Sequence, residues 1–321
     1  MTDLVTFGEA MLRLSPPRDE RLENARELDV RAAGAESNVA VAAQRLGAES
    51  AFLTKLPDTP LGKRVVNELH WHGIDTDVVW SEAPDARQGA YFLEQAGQPR
   101  GHEVIYDRAD SAITTATTDE LATDRIEDAR AFHVSGITPG LSNRLAETTA
   151  NLMSIAGRAG TKVSFDVNYR AKLWDADRAR AMLTKLFPAV DVLVTGVDDA
   201  RQVLDAGSDA QSIAHHLASK WDFDTVIVTR GDLGAIALHD GVLHEQPVFE
   251  AETIDPIGSG DAFVGGYVAR RLAGDDVPTA LQHAAATAAL KRTMPGDVAS
   301  VDLEEVRAVI DAADEDRDIS R

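Results

Sequence analysis

The sequence predicts an α/β fold: a mostly parallel sheet flanked by helices, with a small β-sheet lid beside it. Two observations carry that expectation. Short apolar runs alternate with helical patterns along nearly the whole chain, and only two stretches break the alternation. Such alternation buries a parallel sheet on both faces. Residues 4–7 read as the first strand, and 37–46 as a helix closed by Gly47. Strand 51–56 and helix 61–72, stopped by Gly73, follow. Further buried-type strands are expected at 131–134, 162–166, 190–194 and 225–229, with helices at 143–158, 176–186 and 208–220.

The two exceptions define the small sheet. Residues 10–33 contain Pro16-Pro17 and no long helical period. Residues 78–108 hold two strand-like runs, 89–94 and 102–106, around a Gly97-to-Gly101 turn, which reads as a hairpin. The expected organisation is a main domain of residues 1–9, 34–77 and 109–312, a small β lid of residues 10–33 and 78–108, and a polar, frayed tail at 313–321.

Composition narrows the function. Hydrophobic residues make up 44% of 321, enough for a sizeable core. No apolar run approaches the roughly 20 residues that span a bilayer. The first residues lack the basic-then-apolar pattern of a secretory signal, so a cytoplasmic protein is expected. There is no cysteine, which excludes disulfides and thiolate metal sites. His70, His72, His215 and His216 lack a third ligand at metal-site spacing and read as solvated helix-face residues. With 32 Lys plus Arg against 53 Asp plus Glu, the formal charge of −21 repels nucleic acid. Dispersed acidity of this kind suits a high-salt environment, where ions screen self-repulsion.

The chemistry concentrates in Asp255-Pro-Ile-Gly-Ser-Gly-Asp261-Ala-Phe263, placed between a strand-like run at 248–254 and a helical stretch at 262–272. Glycines one residue apart let backbone N–H groups approach an anion, and a helix N-terminus adds partial positive charge. Asp261 at that helix start suits a base that takes a proton from an attacking hydroxyl, or a simple helix cap.

This segment resembles the C-terminal signature of the ribokinase/PfkB family of carbohydrate kinases. The Asp, Gly, Gly and Asp positions match; Pro256, Ile257 and Ser259 replace Thr, Thr and Ala. The resemblance implies a ribokinase-like fold, an anion hole at Gly258, Ser259 and Gly260, and Asp261 as the catalytic base. Ala33-Gly34-Ala-Glu-Ser-Asn38 resembles the family's substrate loop, which implies sugar contacts for Gly34 and Asn38. Leu56-Pro-Asp-Thr-Pro-Leu-Gly62 is similar to a further family segment with its first glycine lost. Thr229-Arg-Gly231-Asp-Leu-Gly234 resembles the turn before the nucleotide loop, implying nucleotide contacts for Thr229, Gly231, Gly234, Gly258 and Gly260. The pieces occur in family order over about residues 3–310. ATP and Mg²⁺ are implied as cofactors. The family's Asn-x-x-Glu reads here Gly196-Val-Asp-Asp199, which leaves Asp199 as the implied metal-side carboxylate.

Within the family, Phe7-Gly8-Glu9 is similar to the start of 2-keto-3-deoxygluconate kinases and fructokinases. Tyr106-Asp-Arg108 and Asp166-Val-Asn-Tyr-Arg170 resemble motifs of the former, whose arginines and tyrosines hold the acid end of the substrate. The resemblance carries Tyr91, Tyr106, Arg108, Arg170 and, by its spacing, Asp297 as substrate-binding residues. Two arginines facing a cavity in so acidic a protein favour an acidic acceptor, since Arg binds carboxylates bidentately. Most arginines, however, sit on surfaces or in salt bridges, and tyrosines pack hairpins. The expected function is an ATP-dependent kinase that phosphorylates 2-keto-3-deoxygluconate at its terminal hydroxyl in an Entner-Doudoroff-type pathway. A fructokinase-like kinase of a neutral sugar and a non-catalytic sugar sensor are the alternatives. A dinucleotide oxidoreductase fails because no Gly-x-Gly-x-x-Gly follows the first strand, and Pro57 occupies the first glycine position of a Walker loop. The resemblance further implies a homo-oligomer paired through the lid sheet.

Overall fold

The computed structural model describes residues 2–17, 20–96 and 99–319. Gly97 and Gln98 of the expected turn, and residues 320–321 of the expected tail, lie outside them. The chain runs β1 (Leu4–Phe7), β2 (Met11–Ser15), β3 (Asp29–Ala33), α1 (Ala35–Arg45), β4 (Ser50–Pro57), α2 (Pro60–Trp71) and β5 (Asp75–Ser81). The hairpin β6 (Ala90–Glu94) and β7 (Glu103–Asp107) follows. Next come α3 (Thr123–Glu127), β8 (Ala131–Ser135), α4 (Ile137–Leu141), α5 (Asn143–Ala159), β9 (Lys162–Asp166), α6 (Ala176–Leu186), β10 (Val192–Gly196), α7 (Val197–Leu204) and α8 (Ala210–Lys220). The last third holds β11 (Thr225–Thr229), β12 (Ala235–His239), β13 (Val242–Gln246), α9 (Ser259–Leu272), α10 (Val277–Arg292) and α11 (Leu303–Ile319).

Nine strands form the large sheet, in the order β13-β12-β11-β10-β9-β8-β1-β4-β5. All neighbours pair in parallel except β11 with β12 and β12 with β13. Alternate residues of one strand enter two different cores, as the two-residue period of a strand dictates. Val5 and Phe7 join one cluster with Leu145, Leu183, Val203 and Ile213 of α5 to α8. Leu4, which precedes them and points to the opposite face, joins another with residues of α1, α9, α10 and α11. The sheet is therefore covered on both faces. Because the chain winds from β1 to β4 and β5 on one side and then returns to β8 on the other, the strand order reverses beside β1. In such sheets the crevice at the carboxyl ends of the strands is where ligands sit.

The small sheet has the order β3-β2-β6-β7, antiparallel except for the parallel pair β2 and β6. It is two-faced. Leu12 and Ala32 pack with Val65 and Leu69 of α2, whereas Met11, Ala33, Tyr91 and Leu93 pack with Ile257 of the signature segment. The register aligns Arg31, Arg13, Tyr91 and Tyr106 in one row across the four strands.

Three expectations need correction. Residues 78–81, assigned to the lid, belong to β5 and pair with β4 through Ser81, because the apolar run Val78-Val79 continues a large-sheet edge. Residues 248–254 form no strand: the segment leaves the sheet after β13, and the amides of Ile254 and Asp255 bond to the Arg292 carbonyl at the end of α10. Helix continues to Ile319, well into the expected tail. Among the described residues, no helix is long and apolar enough to cross a membrane.

The −21 charge generates a test of the salt reading. Raising KCl from about 0.1 M to about 2 M shortens the Debye length and should raise the thermal midpoint. A midpoint that is unchanged or lower at the higher salt contradicts it.

Candidate functional site

The first turn of α9 organises the site. Gly258, its N-cap, has φ 82°, and a Cβ there would lie 1.9 Å from the Asp297 carbonyl oxygen, so only glycine fits. Amides in a first helical turn have no intrahelical acceptor, and the helix dipole makes that end positive. The Ser259 amide and hydroxyl both turn back to the Pro256 carbonyl, at 3.2 and 2.8 Å. Asp261 does not cap the helix. Its Oδ2 instead accepts a 2.7 Å bond from Nδ2 of buried Asn38 on α1. Gly34 precedes that helix, where a Cβ would come within 2.2 Å of the Glu9 carbonyl oxygen. Burial pushes the Asp261 carboxyl up to about 6, opposed by the Asn38 bond and the charge of Arg170.

A cavity of about 420 Å³ opens at this turn. It is lined by every residue expected to bind the acceptor: Gly34, Asn38, Tyr91, Tyr106, Arg108, Arg170, Asp261 and Asp297. Their side chains are not equally available. Arg108 forms an ion pair with buried Glu9, whose other oxygen accepts from Ser111 at 2.6 Å. The Arg108 guanidinium also lies 5.5 Å from the centre of the Tyr106 ring, which is 5.8 Å from that of Tyr91. Both oxygens of Asp297 are engaged, Oδ2 by the Tyr91 hydroxyl at 2.7 Å and Oδ1 by Arg13 at 2.7 Å. Arg170 is exposed and has no ion pair among the described residues. It is the cation left for a ligand.

A second cavity of about 310 Å³ lies on the other side of the turn. Of the residues expected at the nucleotide, Thr229, Gly231, Gly234 and Gly260 line it, with apolar Phe249, Phe263, Ala285 and Ala289, whereas Gly258 lines the first cavity. Gly260 lines both cavities, so the two meet at the N-terminus of α9. Asp199 instead faces an open cleft of about 780 Å³ with Gly196, Thr229 and Gly231, and its Oδ2 accepts from the Tyr169 amide at 3.0 Å. Asp166, at the carboxyl end of β9, lines the first cavity and was not expected. Burial, then the charges of Asp261 and Asp199, push its carboxyl up to about 8. Burial likewise raises that of Asp199. No group of three potential metal ligands occurs among the described residues. The carboxyls present fit Mg²⁺, which binds through one or two carboxylates plus phosphate oxygens.

The sequence profile of the pfkB family of carbohydrate kinases matches residues 1–303. The chain belongs to the pfkB carbohydrate kinase family. A 2-dehydro-3-deoxygalactonokinase from Haloferax volcanii is 57% identical over 312 residues, 97% of this chain and 98% of that relative. A 2-dehydro-3-deoxygluconokinase from Thermoproteus tenax is 31% identical, covering 92% of this chain and 90% of its own. The crystal structure of a 2-dehydro-3-deoxygluconokinase from Thermotoga maritima superimposes with a TM-score of 0.91 at 34% identity, over 97% of this chain and all of that one. As a pfkB kinase the chain transfers a phosphoryl group to a carbohydrate hydroxyl, and it has the ribokinase-like fold.

The motifs that contain Glu9 and Asp166 gave neither a role, though both line the first cavity, and Arg13, buried behind it on Asp297, was missed outright. Also missed was Lys291, fully buried on α10, which donates to the carbonyls of Asp255 at 3.0 Å and Met294 at 3.3 Å.

Asp166 yields a stability prediction. A carboxyl raised from 3.8 to about 8 keeps its proton in the folded state where the unfolded chain has lost it. Stability then falls as pH rises through that window. Without divalent ions, Asp166→Asn should be increasingly more stable than the native chain between about pH 4 and 8, in denaturant titrations. A stability difference that does not change with pH contradicts this.

Proposed function

We propose that the chain transfers the γ-phosphoryl group of ATP to the terminal hydroxyl of a 2-dehydro-3-deoxy sugar acid, giving the 6-phosphate, in an Entner-Doudoroff-type pathway. The observation that carries the reading is the pair of cavities meeting at Gly260, with Asp261 and the unpaired Arg170 in the first. The names of the Haloferax and Thermotoga relatives support a six-carbon keto-deoxy acid. The galacto epimer deserves equal weight with the gluco epimer, since the 57% identical relative is named for it.

The nucleotide lies in the second cavity, its base against the apolar wall and its phosphates over the α9 N-terminus. The sugar acid lies in the first, with its carboxylate on Arg170 and its terminal hydroxyl against Asp261. Asp261 takes the hydroxyl proton as the oxygen attacks phosphorus, and the free amides of the first helical turn hold the phosphoryl oxygens. Asp166 and Asp199 are the carboxyls that would hold Mg²⁺, which would supply positive charge to offset that of the phosphates. The small sheet covers the cavity and keeps out water, which otherwise competes as acceptor.

Two variants test the roles. Asp261→Asn removes the base and should lower kcat by about 10²- to 10⁴-fold with the fold intact. Arg170→Ala should lower kcat/KM on the sugar acid by about 10- to 100-fold, the worth of one charge-assisted contact, and leave turnover of fructose little changed. Near-native rates for Asp261→Asn remove it as base, and an equal loss on both acceptors removes Arg170 as the carboxylate partner. The raised Asp261 carboxyl further predicts that native kcat/KM declines as pH falls through about 6, because only the ionised form accepts a proton. A profile flat to about pH 5 contradicts that assignment.

A further inference from the structure

We propose that Arg13 is a positioning residue for phosphoryl transfer, one guanidinium that sets the anion hole and the small sheet in a fixed relation. This rests on the kinase reading above. Arg13 stands on β2, 3% exposed, and reaches two segments more than 240 residues away along the chain. Its Nη2 donates to Asp255 Oδ2 at 2.6 Å and its Nη1 to Asp297 Oδ1 at 2.7 Å.

Each carboxylate then fixes backbone. Asp255, wholly buried, accepts the Ile257 amide on Oδ1 and the Gly296 amide on Oδ2, both at 3.1 Å. Asp297 presents its carbonyl directly behind Gly258, closer than any Cβ allows. The segment from Asp255 to Gly260 is thus stacked on the segment from Gly296 to Asp297, and Arg13 bolts both to β2. The same row of the small sheet carries Tyr91, whose hydroxyl holds the second oxygen of Asp297. On the other side of Arg13 in that row, the end of the Arg31 side chain packs against Gly296. The sheet that shapes the acceptor cavity and the loop that receives the phosphoryl group therefore share one set of hydrogen bonds.

Stability alone is a poor reason for such a cluster. Two buried carboxylates and an arginine carry a large desolvation penalty, and apolar replacements of equal volume are often as stable. Geometry is the better reason: a planar fork with donors at fixed spacing holds two acceptors in a defined relation, which a flexible ammonium does not. Misplacing reacting groups by about 1 Å costs on the order of 100-fold in rate.

The test compares native enzyme, Arg13→Lys and Arg13→Gln in steady-state assays with ATP and the sugar acid. Rates are normalised to the folded fraction measured by circular dichroism. Arg13→Lys keeps the charge but one contact at a time, and should lower kcat about 10-fold; Arg13→Gln should lower it about 100-fold. KM for ATP should stay within about threefold, since the apolar base pocket is untouched. Should Arg13→Gln not fold, Arg13→Lys decides. Native kcat per folded molecule in Arg13→Lys overturns the proposal, as does a loss of activity that only tracks loss of folded protein. A native enzyme inactive on every acceptor overturns the kinase reading and this proposal together. An active native enzyme with unaffected Arg13 variants overturns the positioning role alone.

Discussion

A carboxylate base and a phosphoryl group repel each other, yet transfer to a hydroxyl requires them within a few ångströms, away from bulk water. Much of this molecule is arranged around that repulsion. The α9 N-terminus offers amides and a positive dipole end, and Gly258 leaves the approach open on one side while packing on Asp297 on the other. Asn38 holds Asp261 from the opposite helix, so its free oxygen is oriented without being neutralised. Arg170, exposed and without an ion pair among the described residues, adds a cation to the cavity lining. Burial still wins in part and raises the carboxyl to about 6, which suits the proposed role as base.

The sheet supplies the platform. Asp166, Gly196 and Thr229 end three neighbouring parallel strands, so their register places groups for both cavities along one rim. Glu36 secures α1 to that rim. It is buried, and its Oε1 accepts from the Ser135 amide and hydroxyl and from the Thr138 hydroxyl. Gly8 leaves its carboxyl room, since a Cβ there would meet Oε2 at 2.2 Å. Helix α1 is thereby fixed in the position from which Asn38 reaches Asp261. The small sheet completes the cavity with a tyrosine row and the Glu9–Arg108 pair.

What the sequence disclosed follows from which interactions are local. Strands 162–166 and 225–229 and helix 176–186 coincide with the structure, because an apolar run or a helical period between glycines is a local signal. The hairpin β12–β13 and helices α10 and α11 escaped notice. In α10 alanines face every direction, so no amphipathic stripe marks it. The segment 248–254 looked like a strand because valine and isoleucine signal extension without saying whether a neighbour is there to pair. The site divides the same way. Glycine and aspartate at short fixed spacing revealed the α9 loop, and motif resemblance collected the residues around one cavity. Arg13 stayed hidden. In Met11-Leu-Arg-Leu-Ser15 the arginine alternates with leucines and reads as the solvent side of a strand. Only tertiary structure brings Asp255 and Asp297 to that side. The partner of Arg108 was hidden likewise, since Glu9 lies 99 positions away.

The most direct measurement sets 2-dehydro-3-deoxygalactonate, 2-dehydro-3-deoxygluconate, fructose and ribose side by side with ATP and Mg²⁺ in about 2 M KCl, a concentration that screens the acidic surface. Product phosphorylation sites would be read by NMR. The account predicts terminal phosphorylation of a sugar acid with kcat/KM about 10- to 100-fold above either neutral sugar, reflecting the Arg170 contact. A neutral sugar turned over as well as both acids would contradict it, leaving the fold and Asp261 in place but removing the carboxylate from the cavity.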